Sequence, residues 1–211
     1  MTWPSSAIAE ASSPGLPGIV LRVELVAPTL ERLPGYLDAV RRGCPGDRVL
    51  FGSAGAVLAL AAENPQAVLD RFADRTNAGV RYRRDGTTAP RLPALFRWMW
   101  DGQFAGNINL RWAPDGRALP DDVPGHIGYG TVEWKRGRGY ATRALSLMRV
   151  LAVEEGMTEV DIVTDVDNIA SQRVVERNGG VRVEEFAQTE PLGGGQAIRW
   201  RVEQASQELS R

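Results

Sequence analysis

The sequence predicts one mixed α/β domain, a mostly antiparallel central sheet of about seven strands flanked by helices. Three observations lead there. Runs dense in β-branched and aromatic residues cluster over 94–112, and a β-α-β-α-β-β alternation follows from 126 to 202. The chain of 211 residues is 43% hydrophobic and 24% charged, which suits one globular unit and argues against wholesale disorder.

Residues 1–17 are rich in Ser, Ala, Pro and Gly without apolar periodicity, and read as a flexible arm before a domain over 18–205. Gly18–Ala27 is the first strand by its β-branched density. Over Thr29–Arg42, Leu30, Leu33, Leu37 and Val40 recur at helical spacing, with a break expected at Pro34. Ala56–Ala62 is a short apolar run. Asn64-Pro65 has the form of a helix cap and first-turn proline, with Val68, Leu69 and Phe72 on one face. Arg81–Arg84 with Asp85-Gly86 reads as a loop or hairpin tip. Ala94–Trp100 and Gln103–Trp112 are strands joined by Asp101-Gly102, a good hairpin signal. The stretch 113–125 holds three prolines and is a surface loop. His126–Trp134 is a strand. Gly139–Glu155 is a helix with Ala141, Ala144, Leu145, Met148 and Leu151 on one stripe and Gly156 as its stop. Thr158–Thr164 is a buried strand, Asn168–Asn178 a helix closed by Gly179-Gly180, and Val181–Gln188 and Gln196–Val202 a closing pair of strands.

Composition excludes several classes. Lys+Arg 25 against Asp+Glu 26 leaves a net charge of -1, with no footprint for duplex nucleic acid or an acidic membrane surface. No apolar run approaches a bilayer span, and no Lys or Arg precedes Arg22, so a secretory n-region is missing. Cys44 is the only cysteine, which rules out an internal disulfide and a thiolate metal cluster. No metal is expected, and a reduced, cytoplasmic setting follows as the default.

The chemistry concentrates where a strand ending near Trp134 runs through Lys135-Arg136-Gly137-Arg138-Gly139-Tyr140-Ala141 into a helix. The first N–H groups of a helix have no internal partner and its dipole favours negative charge there. Gly137 and Gly139 let a phosphate approach the main chain, and Arg136 and Arg138 add charge. A pyrophosphate-bearing cofactor is the natural guest. A dinucleotide fold would place a third glycine where Thr142 stands; an arginine-glycine nucleic-acid element would need more than one copy; a helix start that merely needs glycines is the bland alternative.

These residues resemble the Arg/Gln-x-x-Gly-x-Gly/Ala signature of the GNAT superfamily of N-acetyltransferases, most like its branch of predicted acetyltransferases. Gly125–Gly130 is similar to that family's fourth strand. Asn168-Ile169-Ala170-Ser171 with Glu176–Gly180 is similar to its Asn-x-x-Ser/Ala helix and following turn. The resemblance spans about 94–203. It implies a GNAT-like fold with a splayed parallel pair at 126–134 and 158–164, and acetyl-CoA as co-substrate. Thr131 and Val132 would hold pantetheine through main-chain bonds and stabilise the oxyanion. Arg136, Gly137, Arg138, Gly139, Tyr140, Ala141 and Thr142 would hold the pyrophosphate. The activity implied is transfer of an acetyl or short acyl group to a primary amine, small molecule or peptide, by direct attack in a ternary complex. A coenzyme A-binding sensor without transfer is the alternative, and exposed strand edges would allow a homodimer.

Single residues divide further. His126, the only histidine, can accept a proton near neutral pH and sits where relatives place a base; the alternative is a strand-edge histidine satisfied by a carbonyl. Glu133 is the rival base, opposite in facing unless a bulge at Gly128 or Gly130 intervenes. Asn168 is a good helix cap and would also touch the pantetheine arm. Val175 stands where many relatives have a tyrosine, so either Ser171, with or without a water, protonates the leaving thiolate, or no residue does, coenzyme A thiolate being a tolerable leaving group. Tyr129 and Tyr140 read as packing residues, Cys44 as incidental, and Phe96, Trp98 and Trp100 as core or pocket wall. Arg81, Arg83 and Arg84 suit a solvated hairpin, a 3′-phosphate or an acidic acceptor.

Overall fold

The computed structural model describes residues 22–203 without 45, 46, 115, 117, 190 and 191. The expected arm over 1–17, the start of the first strand and the domain's end at 205 lie outside the described residues. In chain order the elements are β1 (Glu24–Val26), α1 (Leu33–Arg41), α2 (Arg48–Phe51), α3 (Ala54–Glu63), α4 (Pro65–Ala73), β2 (Val80–Tyr82), β3 (Thr88–Pro90), β4 (Ala94–Trp100) and β5 (Phe104–Arg111). There follow β6 (Ile127–Thr131), a 3-10 turn over Glu133–Lys135, α5 (Tyr140–Glu154), β7 (Glu159–Asp165), α6 (Ile169–Glu176), β8 (Val181–Ala187) and β9 (Gln196–Glu203).

Seven of these strands form the expected sheet, but divided: β1-β4-β5-β6 on one side and β7-β9-β8 on the other, antiparallel within each group. The groups meet where His126 N–H donates to Asp161 O at 2.7 Å. Gly125 makes the approach feasible: a Cβ there, at φ +127°, would lie 2.7 Å from the Asp161 carbonyl oxygen. Beyond this contact the strands part, and residues 127–129 and 162–165 line the two walls of a shared cavity.

Strand β4 explains how two helical layers share one sheet. Leu95 and Met99 face a core completed by Ala144, Leu145 and Met148 of α5. Ala94, Phe96 and Trp98 face the other, with Tyr36, Val57, Val68 and Phe72 of α1, α3 and α4. Period-two alternation sends neighbouring side chains to opposite faces, so a strand covered on both reads as an unbroken apolar run. Tyr36 stacks on Trp98 at 4.9 Å between ring centroids, and Phe72 and Phe104 meet Trp98 edge-on. Phe96 and Trp98 are therefore core.

Local signals hold with three adjustments. Pro34 starts α1 instead of breaking it, occupying the first turn where its missing N–H has no helical partner to lose. The apolar run 56–62 is the body of α3, capped by Ser53, whose Oγ accepts from Ala56 N–H. Asn64 caps α4 through Ala67 N–H at 3.2 Å. The third adjustment shapes the site. The strand expected over 126–134 ends at Thr131, because the chain turns to bury Lys135 against Asp101 of the β4–β5 hairpin, Nζ to Oδ1 2.6 Å. Among the described residues no helix is long and apolar enough to cross a membrane.

Candidate active site

The strand-turn-helix from Thr131 to Thr142 is set by one buried ion pair and two glycines. Asp101 accepts from Lys135 Nζ and from Tyr140 Oη, so the residues on either side of the glycine turn are tied to the same carboxylate. Partial burial pushes the Asp101 carboxyl up, but the bonds from Lys135 and Tyr140 outweigh it and leave it below the ordinary range. Tyr140 goes the other way, to about 12, through burial and the Asp101 charge. Between them Gly137 and Gly139 take φ of +73° and +84°, a region costly for residues with a Cβ. Gly139 is the N-cap of α5 and offers no side-chain cap, so the first N–H groups of Tyr140, Ala141 and Thr142 stay open to an outside acceptor. A Cβ at Gly137 would meet nothing within 4 Å, and Arg136 and Arg138 are exposed beside it. The residues fit a pyrophosphate.

Register decides which main-chain groups of β6 face the fork. Arg111 N–H donates to His126 O and Val132 N–H to Ala105 O, 2.9 and 3.0 Å. Positions 126, 128, 130 and 132 therefore spend carbonyl or N–H groups on β5, while those of Tyr129 and Thr131 point away from it. This corrects part of the expected main-chain contact: Val132 is buried and its N–H is already committed to the sheet, so Thr131 and Tyr129 supply the free edge. The Thr131 carbonyl accepts from Arg136 Nε at 3.3 Å, linking that edge to the turn.

The fork encloses a cavity of about 190 Å³. Tyr129 and Ser171 face each other across it, Oη to Oγ 2.7 Å. Asn168 Oδ1 caps α6 by accepting from Ser171 N–H at 3.1 Å, which fixes the serine at the helix start. Burial raises the Tyr129 hydroxyl's pKa, opposed by its bond to Ser171, so it remains a proton donor. Val175 is fully buried in the core, and Gly180 packs so closely that a Cβ there would lie 2.3 Å from Val175 Cγ1. A tyrosine at 175 would have no room; the hydroxyl in this cavity comes from Tyr129 instead.

His126 has a different surrounding from a free base. Its Nδ1 accepts from Asp161 N–H at 3.0 Å, opposite the bond from its own N–H to Asp161 O. A neutral ring that accepts at Nδ1 carries its proton on Nε2, so neither nitrogen holds a lone pair free for an amine proton. Burial lowers its pKa, with Arg111 adding to the effect and Asp161 opposing it. Glu133 lies exposed on the 3-10 turn, not on a strand, so the facing argument drawn from strand alternation does not apply to it. The structure brings Ser171, Asn168 and the β6 edge together and leaves Glu133 outside the cavity lining.

Two polar residues of this region escaped sequence reasoning. Tyr129 was legible as an aromatic residue on a half-buried strand, with nothing local to show its hydroxyl's partner 42 positions away. Asp47 is buried, its Oδ1 bonded by Asn107 Nδ2 and its Oδ2 without a partner; burial raises its pKa to about 7. It lies under the sheet beside Gly130, where a Cβ would be 3.3 Å from Asn107 Oδ1.

Comparison with known proteins agrees with this geometry. No curated protein matches the chain at the level of sequence. Among solved structures, the microcin C7 self-immunity acetyltransferase MccE in complex with acetyl-CoA and AMP is similar at 14% identity and TM-score 0.56, over 86% of this chain and 92% of that one. A putative ribosomal-protein-serine acetyltransferase from Vibrio cholerae is similar at 13% identity and TM-score 0.52, over 88% and 95%. An acetyltransferase from Salmonella typhimurium that modifies the N-terminal serine of ribosomal protein L7/L12 is similar at 17% and 0.52, over 86% and 94%. The family model described as acetyltransferase (GNAT) domain matches residues 56–181, more than half of the chain. With its sheet forked beside a glycine-capped helix, the chain belongs to the GNAT acetyltransferase family, whose co-substrate is acetyl-CoA.

Proposed function

We propose that the protein moves an acetyl or short acyl group from acyl-CoA to a primary amine by direct attack, both substrates being bound together in the fork. The observation that carries this reading is the placement of Ser171 and Tyr129 in the cavity of a fork whose free edge leads to the open helix start at Gly139. The N–H groups of residues 137–142, with Arg136 and Arg138, hold the pyrophosphate. Tyr129 and Thr131 offer main-chain groups to the pantetheine arm, and Asn168 lies at its side. The coenzyme supplies the activated acyl group.

Ser171 Oγ–H gives a proton toward the departing sulfur, Tyr129 Oη–H replaces it through their 2.7 Å bond, and the proton that the amine nitrogen sheds after attack passes to solvent, from which Tyr129 regains its own. His126 is a positioning residue that pins the two strands at the root of the fork. A peptide α-amine has a pKa of about 8, so losing its proton to water at pH 7 costs only about 1.4 kcal/mol. Such an acceptor places little demand on a dedicated base. The acetyltransferases similar in fold include one that modifies the N-terminal serine of ribosomal protein L7/L12, which supports a peptide or small-molecule amine as acceptor.

The test combines calorimetry with acetyl-CoA and thiol release with a panel of amines. Heat of binding together with amine-dependent release is the expected result. Heat without release from any amine would leave a coenzyme-binding module and overturn transfer. His126→Gln, whose side-chain carbonyl can still accept from Asp161 N–H, should keep turnover within a few-fold. Loss of turnover with loss of the acidic limb of the pH profile would restore His126 as base.

A further inference from the structure

The acceptor side of the fork carries a guanidinium with no counter-charge. Arg111, at the end of β5, lines the cavity. Its Nε donates to Gly125 O at 2.6 Å and its Nη1 to Asn109 Oδ1 at 3.3 Å, both neutral acceptors. Among the described residues no carboxylate pairs with it, and Nη2 has no acceptor. The charged groups around it do not compensate. Arg81 and Arg83 share Asp122, at 2.6 and 2.5 Å. Arg84, on the cavity wall, is 4.0 Å from Asp165 Oδ2, while Asp165 Oδ1 takes the Gln188 amide at 2.8 Å. The carboxylates that meet Arg81 and Arg84 are thus both already engaged by a second group.

Gly128 lies beneath this group. A Cβ on Gly128 would lie 3.5 Å from Arg111 Nη1 and 3.7 Å from Nη2, so the guanidinium lies directly over a strand position that has no side chain. Gly128, Tyr129 and Ser171 line the same cavity as Arg111. Arg111 is half-buried; partial desolvation without an anion is unfavourable for a guanidinium, and burial with Arg81 nearby brings its pKa down to about 10. A bound carboxylate would meet free N–H groups in the fork geometry that guanidinium offers.

Resting on the transferase reading, we infer that Arg111 selects acceptors that carry a carboxylate close to the amine, with Arg84 at the rim adding to the attraction. The carboxylate could belong to a free amino acid or to an acidic first side chain of a peptide, and the test separates these.

The experiment measures kcat/KM by thiol release at saturating acetyl-CoA for matched pairs. One pair is β-alanine and β-alaninamide; the others are dipeptide amides beginning with Asp or Asn and with Glu or Gln. The carboxylate member of at least one pair should be preferred about 10- to 100-fold, the range for a charge-assisted contact. A preference in the first pair alone identifies a free amino acid, and one in the dipeptides an acidic N-terminus. Arg111→Met should erase the preference by raising KM for the acid alone, and Arg111→Lys should keep part of it. Should Arg111→Met fail to fold, competitive inhibition of the wild-type enzyme by succinate but not succinamide gives the same answer. Equal or better use of the amides overturns the inference and leaves the transferase standing. Binding of acetyl-CoA with no release from any amine overturns both.

Discussion

The two ends of the fork are built on opposite principles. At the phosphate end, Lys135 to Thr142 are consecutive, and their chemistry follows from an unsatisfied helix start, two left-handed glycines and flanking arginines. At the acceptor end, Arg84, Arg111, Tyr129, Asp165 and Ser171 come from a hairpin, three strands and a helix, and meet only in space. A local site suits whatever shares its local chemistry, here the pyrophosphate proposed for it. An assembled site can differ between proteins of the same fold, because each element changes its contribution separately. The contrast teaches why the coenzyme is readable before the acceptor.

The sharpest way to break the comparison is to show that the local end also depends on tertiary support. Asp101→Ala strips the buried Lys135 of its partner and frees Tyr140; a loss of about 1–3 kcal/mol in stability is expected for charge-assisted bonds at a partly exposed carboxylate, read by denaturant unfolding, with weaker coenzyme binding. An unchanged midpoint would make the turn self-sufficient. Gly139→Glu puts a Cβ at φ +84° and a carboxylate at the anion site. Strain and repulsion together should lower acetyl-CoA affinity by roughly 100-fold, measured by calorimetry.

Smaller effects belong to the assembled end. Ser171→Ala should lower kcat about 10-fold with little change in KM for acetyl-CoA, and Tyr129→Phe somewhat less. The double variant should be no worse than the serine change alone if the two hydroxyls act in series; additive losses would separate them. Asp47 gives a defined pH sign. Its carboxyl is raised from 3.8 to about 7 in the folded protein, so between these values the folded chain holds a proton that the unfolded chain has released. Stability therefore falls as pH rises through that window and levels off above it. Asp47→Asn keeps an acceptor for Asn107, and should raise the melting temperature at pH 8 while changing little at pH 4. A flat difference across pH would remove Asp47 as the titrating group.

Much of the architecture was legible along the chain because it is written in short-range physics. The Asn64-Pro65 cap, the Asp101-Gly102 hairpin and the unbroken apolar run of β4 each need only neighbours a few residues apart. The ends of elements were less legible. His126–Trp134 reads as one strand, yet a buried bond from Lys135 to a residue 34 positions earlier ends it at Thr131. For the same reason the facing of Glu133 could not be read from alternation, and the commitment of Val132 N–H to Ala105 required the register of β5.

The sequence by itself determined an α/β domain with an anion-binding helix start, since apolar periodicity, glycine φ freedom and the orphan N–H groups of a helix act within a few residues. Tertiary structure alone decided that His126 latches Asp161, that Tyr129 reaches Ser171 and that Arg111 lies over Gly128 with no carboxylate partner among the described residues. Those relations depend on how strands far apart in the chain are registered and how closely two sheets approach, and both are settled by burial of the whole core.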